Sequence, residues 1–106
     1  MVKKKVIAIV QARCSSVRLP NKVLKKINGI PLIEILYSRL SASKKIDEVI
    51  IATTKLKSDK KLINFLNKKN IKFFCGDENN VLKRYYDCAL KFKADVVVRI
   101  TGDGPL

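Results

Sequence analysis

Positively charged side chains follow the first apolar run of the chain, and a single carboxylate follows the last one. Residues 11–22 contain three cations and two hydroxyl side chains: Arg13, Arg18, Lys22, Ser15 and Ser16. Asp103 stands between two glycines near the end of the sequence. A polyphosphate bridged to a divalent cation needs both kinds of group, because cations bind phosphate oxygens and a carboxylate binds the metal. The two segments predict such a ligand if the fold brings them together.

Other chemistries are excluded by the residue types. The chain has no histidine, and its three cysteines (Cys14, Cys75 and Cys88) are widely spaced. This excludes the usual zinc ligand set and catalysis by serine–histidine or cysteine–histidine pairs. The loop after the first apolar run has no glycine, so it matches neither the dinucleotide-binding motif nor the P-loop. Side-chain cations would have to hold a phosphate there together with backbone N–H groups.

The charge of the chain is strongly one-sided. In 106 residues, 23 Lys and Arg stand against 9 Asp and Glu, a formal net charge of +14. Of these cations 18 are lysine, and much of that excess is typical of solvated faces. The first 33 residues differ, because they hold eight cations and no acid before Glu34. That field favours an anionic ligand, whether a nucleotide, a nucleic acid or an acidic sugar.

Length and hydropathy define the class of protein. With 47% apolar residues, the chain should form a single domain that buries about 65% of its unfolded surface. No apolar run approaches the roughly 20 residues needed to cross a bilayer. The basic residues 1–5 precede an apolar stretch too short for a secretory signal. We therefore expect a cytoplasmic protein.

Four apolar runs alternate with three helical patterns. The runs predict buried strands at 6–10, 49–53, 71–75 and 95–100. The helices are predicted to begin at Pro31, at Ser58 as an N-cap, and at Asn79 or Asn80 as an N-cap, with Asn70 as the stop of the second. This β-α-β-α-β-α-β order predicts a three-layer α/β fold with a parallel sheet.

In the common 3-2-1-4 strand order, a ligand crevice opens between the first and fourth strands. The chain ends six residues after the fourth strand, so cover for that strand would come from a partner or from a larger domain.

Five motifs of the sequence resemble those of one known family. Residues 9–24 read Ile9-Val10-Gln11-Ala12-Arg13-Cys14-Ser15-Ser16-Val17-Arg18-Leu19-Pro20-Asn21-Lys22-Val23-Leu24 and resemble the signature loop of cytidylyltransferases. The likeness is greatest to the spore-coat-polysaccharide branch, which is related to the acylneuraminate and 3-deoxy-manno-octulosonate enzymes. It continues through four further motifs, at residues 28–32, 51–54, 76–86 and 98–106. It implies a Rossmann-like sheet of the nucleotide-diphospho-sugar transferase (glycosyltransferase-A-like) type, truncated here after the fourth strand.

The resemblance also implies an activity and assigns residues to it. Such enzymes transfer CMP from CTP to a sugar or sugar acid and release pyrophosphate, and they use Mg²⁺. Arg13 and Lys22 match catalytic cations that neutralise the departing pyrophosphate, and Asp103 matches a magnesium ligand. The nucleotide-binding positions that the resemblance implies are Ala12, Arg13, Ser15, Ser16, Arg18, Lys22, Arg84 and Arg99. The family allows a homodimer, although its members continue well beyond this length and their later part supplies sugar-binding residues.

Two other interpretations remain open. The charge alone would suit a basic module that binds RNA or DNA, but the cations do not interleave with aromatic residues and no nucleic-acid motif is present. A folded remnant without activity is the third alternative. For single residues, Asp103 could simply close a turn, and Arg84 could form an ion pair instead of contacting a ligand.

Overall fold

The computed structural model describes residues 3–13 and 24–101. Six strands and three α-helices follow each other along these residues, with one short 3-10 turn before the second helix. They are β1 (Val6–Gln11), β2 (Lys26–Ile27), β3 (Ile30–Pro31), α1 (Leu32–Ser41), β4 (Glu48–Thr53), the 3-10 turn (Lys57–Asp59), α2 (Lys60–Lys68), β5 (Phe73–Cys75), α3 (Val81–Lys91) and β6 (Val96–Thr101). None of the helices in these two ranges has the length and apolar character that a bilayer span requires.

Four of the strands form one parallel sheet in the order β5-β4-β1-β6. This is the predicted 3-2-1-4 order, with β1 in the centre. Gln11, the last residue of β1, pairs with Ala52 on one side and with Thr101 on the other. Because all four strands run in the same direction, their carboxyl ends lie along one edge of the sheet. We call this edge the carboxyl edge.

Helices cover both faces of the sheet, which confirms the three-layer architecture. Ala8 and Val10 point to the face covered by α1 and α2, where Ile33 and Leu62 are fully buried. Ile7 and Ile9 point to the opposite face, covered by α3 through Tyr85 and Cys88. Burial on both faces explains why β1 is a continuous apolar run instead of an alternating one.

The helix starts show which local signals operate. Asn80 caps α3 as predicted, since its side chain accepts a hydrogen bond from the Lys83 N–H at 3.0 Å. Asn70, in the left-handed region at φ 56°, follows the end of α2, as predicted. The prediction that Ser58 caps α2 is wrong, because Ser58 lies inside the 3-10 turn and Asp59 occupies the N-cap position. The Asp59 carboxylate makes no capping hydrogen bond and instead accepts hydrogen bonds from Arg13 and Thr54.

A small hairpin precedes α1 and was not predicted. β2 and β3 pair antiparallel around Asn28 and Gly29, whose φ angles are 52° and 83°. An Asn-Gly pair is the residue combination that such a two-residue turn favours, because both residues tolerate positive φ. The signal was present in the sequence, but two-residue strands are too short for a hydrophobic pattern to reveal.

Apolar side chains remain exposed on α3 and, on the opposite face of the sheet, on β6. Leu82, Tyr86 and Leu90 are exposed on α3, and Val96 and Val98 are exposed on β6. β6 is an edge strand of the described sheet and pairs with the central strand β1. The expectation that the fourth strand needs further cover agrees with this exposure.

Candidate functional site

The segments that leave the carboxyl edge carry the polar groups of the candidate site. The backbone N–H of Ala12 donates to the carbonyl of Ala52 at 3.0 Å, so the ladder between β1 and β4 continues one residue past β1. Ala12 is itself buried. Arg13 therefore leaves the sheet from a backbone position that the strand pairing holds in place.

Arg13 forms an ion pair with a buried carboxylate. Its Nε donates to Asp59 Oδ2 at 2.9 Å, and the side chains are 22% and 0% exposed. Asp59 comes from the 3-10 turn between β4 and α2, 46 positions along the chain. The hydroxyl of Thr54 donates to the same carboxylate, and Thr54 Oγ1 in turn accepts from the Leu56 N–H at 3.1 Å. Two buried side chains after β4 thus hold the guanidinium that follows β1.

A tight turn after β5 forms the next part of the site. The Gly76 N–H donates to the Thr53 carbonyl at 2.9 Å, which attaches the turn to the end of β4. Asp77 Oδ1 then accepts from the N–H groups of Asn80 at 2.7 Å and Asn79 at 2.9 Å. These two hydrogen bonds stabilise the ionised carboxylate and lower the pKa of Asp77 below its ordinary value. The turn directs the carbonyls of residues 77 and 78 towards two arginines.

Arg84 lies one turn into α3 and is only 1% exposed. Its Nε donates to the Asp77 carbonyl at 2.8 Å, and its Nη2 donates to the Glu78 carbonyl at 3.3 Å. Arg13 Nη1 also donates to the Glu78 carbonyl at 3.3 Å, so the two guanidinium groups meet at one oxygen. Burial, followed by the nearby charge of Arg13, lowers the pKa of Arg84. Within the described ranges, Arg84 Nη1 is buried and has no hydrogen-bond acceptor.

Gly76 leaves room for this arrangement. A Cβ atom on Gly76 would lie 2.8 Å from Arg84 Cγ and 2.8 Å from Phe74 Cε2. The stem of Arg84 therefore packs directly against the glycine backbone. Only a residue without a side chain allows Arg84 to fold back under the turn.

Arg99 occupies a different part of the edge. It is exposed on β6, and its Cζ lies 5.7 Å from the centre of the Tyr85 ring. The Tyr85 hydroxyl donates to the Ile100 carbonyl at 2.8 Å, which fixes the ring between α3 and β6. Burial raises the pKa of Tyr85. Arg99 is held by an aromatic face, whereas Arg13 and Arg84 are held by oxygens.

The structure describes four of the predicted site residues. Ala12, Arg13 and Arg84 lie together at the carboxyl edge, and Arg99 lies beside Tyr85. The other five predicted residues lie outside the described ranges: Ser15, Ser16, Arg18, Lys22 and Asp103. The placement of Arg18 and Lys22 against Asp103 therefore stays a prediction. In residues 3–13 and 24–101, no three acidic, histidine or cysteine side chains form a group able to hold a metal ion.

Sequence reasoning missed the groups that hold the arginines. Thr54, Asp59 and the carbonyls of Asp77 and Glu78 were not assigned to the site. The motif at residues 76–86 contained the turn, but its residue types alone do not reveal that its carbonyls face two guanidinium groups. No local sequence pattern indicated that Asp59 would pair with Arg13. Partners so far apart in sequence are brought together only by the packing of α2 against the sheet.

The described residues form a three-layer α/β fold with a parallel sheet and two arginines that meet at its carboxyl edge. A family model described as cytidylyltransferase matches residues 7–106, nearly the whole chain. The chain belongs to the cytidylyltransferase family. The resemblance drawn from the sequence motifs is thereby confirmed.

Two relatives show how much of the family's length is present. An uncharacterised protein of Methanocaldococcus jannaschii is 46% identical over 96% of this chain, which spans 42% of that protein. The spore coat polysaccharide biosynthesis protein SpsF of Bacillus subtilis is 36% identical over 94% of this chain, which spans 43% of that protein. The chain thus corresponds to the N-terminal part, less than half, of the relatives that it matches.

Two solved structures share the fold. A cytidylyltransferase from Leptospira borgpetersenii matches with a TM-score of 0.86 at 33% identity, covering 95% of this chain and 42% of that one. CMP:2-keto-3-deoxy-manno-octonic acid synthetase complexed with CTP matches with a TM-score of 0.75 at 27% identity, covering 92% of this chain and 40% of that one. Both likenesses confirm the parallel α/β fold.

Proposed function

We propose that the carboxyl edge of this chain binds CTP together with Mg²⁺. We further propose that the chain is the nucleotide-binding part of an enzyme that transfers CMP to a sugar or sugar acid. The observation that carries the proposal is the meeting of Arg13 and Arg84 at the Glu78 carbonyl, with Arg84 Nη1 buried and lacking an acceptor among the described residues. A buried guanidinium nitrogen without an acceptor is costly, and an oxygen atom of a bound nucleotide would complete its hydrogen bonding.

In the proposed reaction, a hydroxyl oxygen of the acceptor forms a bond to the α-phosphorus of CTP. The bond between that phosphorus and the pyrophosphate oxygen breaks, pyrophosphate leaves, and the proton of the acceptor hydroxyl passes to solvent water. Arg13 and Lys22 are proposed to neutralise the charge that develops on the departing pyrophosphate. Arg18, Ser15 and Ser16 would bind other phosphate oxygens, and Ala12 would pack against the base.

Two further residues complete the proposed site. A magnesium ion bound to the triphosphate would neutralise charge during the transfer, and Asp103 is the residue proposed to hold it. Arg99, stacked on Tyr85, would contact the nucleotide from the β6 side of the same edge. The exposed position of Arg99 allows a ligand to reach it without displacing the core.

The biological setting follows from the same family. SpsF belongs by name to spore coat polysaccharide biosynthesis, and we propose that this chain likewise serves the synthesis of a surface polysaccharide. Because CTP is a cytoplasmic substrate, we place the reaction in the cytoplasm. A homodimer is the assembly we propose, since the family allows it.

Calorimetric titration of the chain with CTP, ATP and random oligonucleotides, each with and without Mg²⁺ and over a range of salt concentrations, tests the proposal. We expect Mg²⁺-dependent binding with CTP preferred over ATP. Tight, strongly salt-dependent binding of the oligonucleotides would favour the nucleic-acid module instead. Failure to bind any of the three would identify an inactive remnant.

Variants separate the roles of individual residues. Asp103→Asn should weaken Mg²⁺-dependent CTP binding and leave the fold intact. Arg18→Ala should weaken CTP binding but not cytidine binding, because cytidine has no phosphate. The matched control is Arg39→Ala, which removes one positive charge from an exposed position in the last turn of α1. Equal losses for Arg18→Ala and Arg39→Ala would contradict a specific phosphate contact.

A further inference from the structure

The ion pair between Arg13 and Asp59 differs from the other ion pairs of the described residues. In the other five, the lysine is at least 43% exposed and the carboxylate at least 22% exposed. Asp59 is 0% exposed, and Arg13 is 22% exposed. Exposed pairs contribute little to stability and do not hold a side chain in place. A buried carboxylate, in contrast, must keep its donors, because it has no water to replace them.

The contacts of Asp59 restrict Arg13 to one orientation. A guanidinium group has five N–H donors in a planar fork. Asp59 takes the Nε–H at 2.9 Å, and the Glu78 carbonyl takes an N–H of Nη1 at 3.3 Å. These two acceptors come from two different segments, one after β4 and one after β5. The plane of the guanidinium is therefore fixed before any ligand arrives.

Thr54 fixes the carboxylate in turn. Its hydroxyl oxygen accepts from the Leu56 N–H, so its single hydrogen is available for Asp59. Thr54 is fully buried at the end of β4. Leu56, Thr54, Asp59 and Arg13 thus form a continuous series of hydrogen bonds that ends at the candidate site.

We propose that Asp59 is a positioning residue for Arg13, which it holds through Nε so that the guanidinium presents its remaining donors to the phosphates of the ligand. This inference rests on the proposed function and adds a residue to it that does not contact the ligand. Asp59 lowers the entropy lost on binding, because a long side chain that is already ordered loses less freedom when an anion binds. Thr54 supports the same role one step further from the ligand.

Simple electrostatics and positioning predict opposite results for Asp59→Asn. Removing a negative charge near an anion site should strengthen anion binding by Coulomb attraction alone. If Asp59 positions Arg13, the same substitution weakens anion binding, because a neutral amide oxygen holds the guanidinium less firmly than a carboxylate does. If Asp59 only supports the fold, the substitution lowers stability and leaves the affinity of the folded chain unchanged. Asparagine has nearly the same shape as aspartate, so packing changes little.

The test uses inorganic tripolyphosphate as the probe, with CTP and cytidine in parallel titrations of the full chain. Asp59→Asn should weaken tripolyphosphate binding about tenfold, the change that corresponds to one charge-assisted hydrogen bond. Cytidine binding should not change. The matched control is Asp87→Asn, which removes an equal charge from an exposed pair with Lys83 and should not weaken binding. Unchanged or tighter tripolyphosphate binding by folded Asp59→Asn would overturn the proposal.

A double-mutant cycle distinguishes positioning from general damage. In an Arg13→Ala background, Asp59→Asn should cause no further loss of tripolyphosphate affinity, because the side chain that Asp59 positions is gone. Additive losses would show that Asp59 acts independently of Arg13 and would refute the proposal. If Asp59→Asn does not fold, Thr54→Val provides the same test, since it removes one donor to Asp59 and leaves the carboxylate in place.

A spectroscopic measurement makes the inference separable from the proposed function. In a nitrogen-15 NMR spectrum of the unliganded chain, the Arg13 Nε–H should give a slowly exchanging signal that is assigned by its loss in Arg13→Lys. Asp59→Asn should abolish the slow exchange, whereas persistence of the signal would overturn the positioning role. If CTP binds no better than ATP, the proposed function fails, and the tripolyphosphate and NMR results still decide the role of Asp59. A wild-type chain that does not bind tripolyphosphate would refute both.

Discussion

Replacing Gly76 by alanine should destabilise the protein through Arg84. The new Cβ would lie 2.8 Å from both Arg84 Cγ and Phe74 Cε2, and 3.3 Å from Arg84 Cα. Non-bonded carbon atoms pack at about 3.5–4.0 Å, so the two nearest contacts are too short by roughly 1 Å. Arg84 cannot move away freely, because its Nε is hydrogen-bonded to the Asp77 carbonyl at 2.8 Å and the side chain is buried.

The size of the effect follows from three contributions, two that destabilise the folded protein and one that stabilises it. Inserting a methyl group into a packed region costs about 1–3 kcal/mol. Gly76 has no positive φ, so alanine fits the backbone and gains about 0.4–1 kcal/mol from the reduced freedom of the unfolded chain. The displaced Arg84 also weakens a charged hydrogen bond worth about 1.5–3 kcal/mol. We expect a net loss of roughly 2 kcal/mol in the free energy of unfolding, or about 8–16 °C in Tm for a domain of this size.

Thermal and urea unfolding followed by circular dichroism measure this loss. The control is Gly29, where a Cβ would meet no atom within 4 Å but φ is +83°. Gly29→Ala should lose about 1 kcal/mol from the strained backbone alone, and Gly29→Asn should recover most of it because asparagine tolerates left-handed φ. Gly76→Asn should not recover stability, since space and not φ is limiting there. A Tm of Gly76→Ala equal to that of the wild type would refute the packing argument.

Three further predictions concern other parts of the fold. Asn80→Ala should lower the free energy of unfolding by about 1 kcal/mol, because the N-cap of α3 is lost, and Asn80→Asp should restore it in urea titrations. Tyr85→Phe should also cost about 1 kcal/mol through the lost hydrogen bond to the Ile100 carbonyl of β6, and a Tm equal to the wild-type value would contradict that bond. Burial raises the pKa of the Cys88 thiol from 9.0 to about 12, so the folded chain binds its proton more tightly than the unfolded chain, and stability should fall as pH rises from about 9 to 12. Urea titrations across this range should show less of that fall in Cys88→Ala, and an identical fall would count against the shift.

The strands and helices could be predicted because their signals are local. The run from Val6 to Val10 is apolar on consecutive residues, which is the pattern of a strand buried on both faces, and the structure has β1 at Val6–Gln11. Asn80 was a recognisable cap because a cap acts on N–H groups two or three residues away. The prediction that Ser58 caps α2 was wrong because Ser58 lies inside the 3-10 turn and Asp59 takes the N-cap position. Asp59 could not be identified as the residue of the 3-10 turn that pairs with Arg13, because no pattern within a few residues records a partner from a distant segment.

The sequence by itself determined the order of elements, the parallel sheet and the presence of Arg13 directly after the central strand. These depend on the period of apolar side chains and on the direction of the strands, both of which are written in consecutive residues. Only the tertiary structure decided that Arg13 pairs with Asp59 and that Arg84 is buried beneath the turn after β5. A charged group can be buried only where the fold brings it enough partners, and those partners come from segments that are distant in the chain.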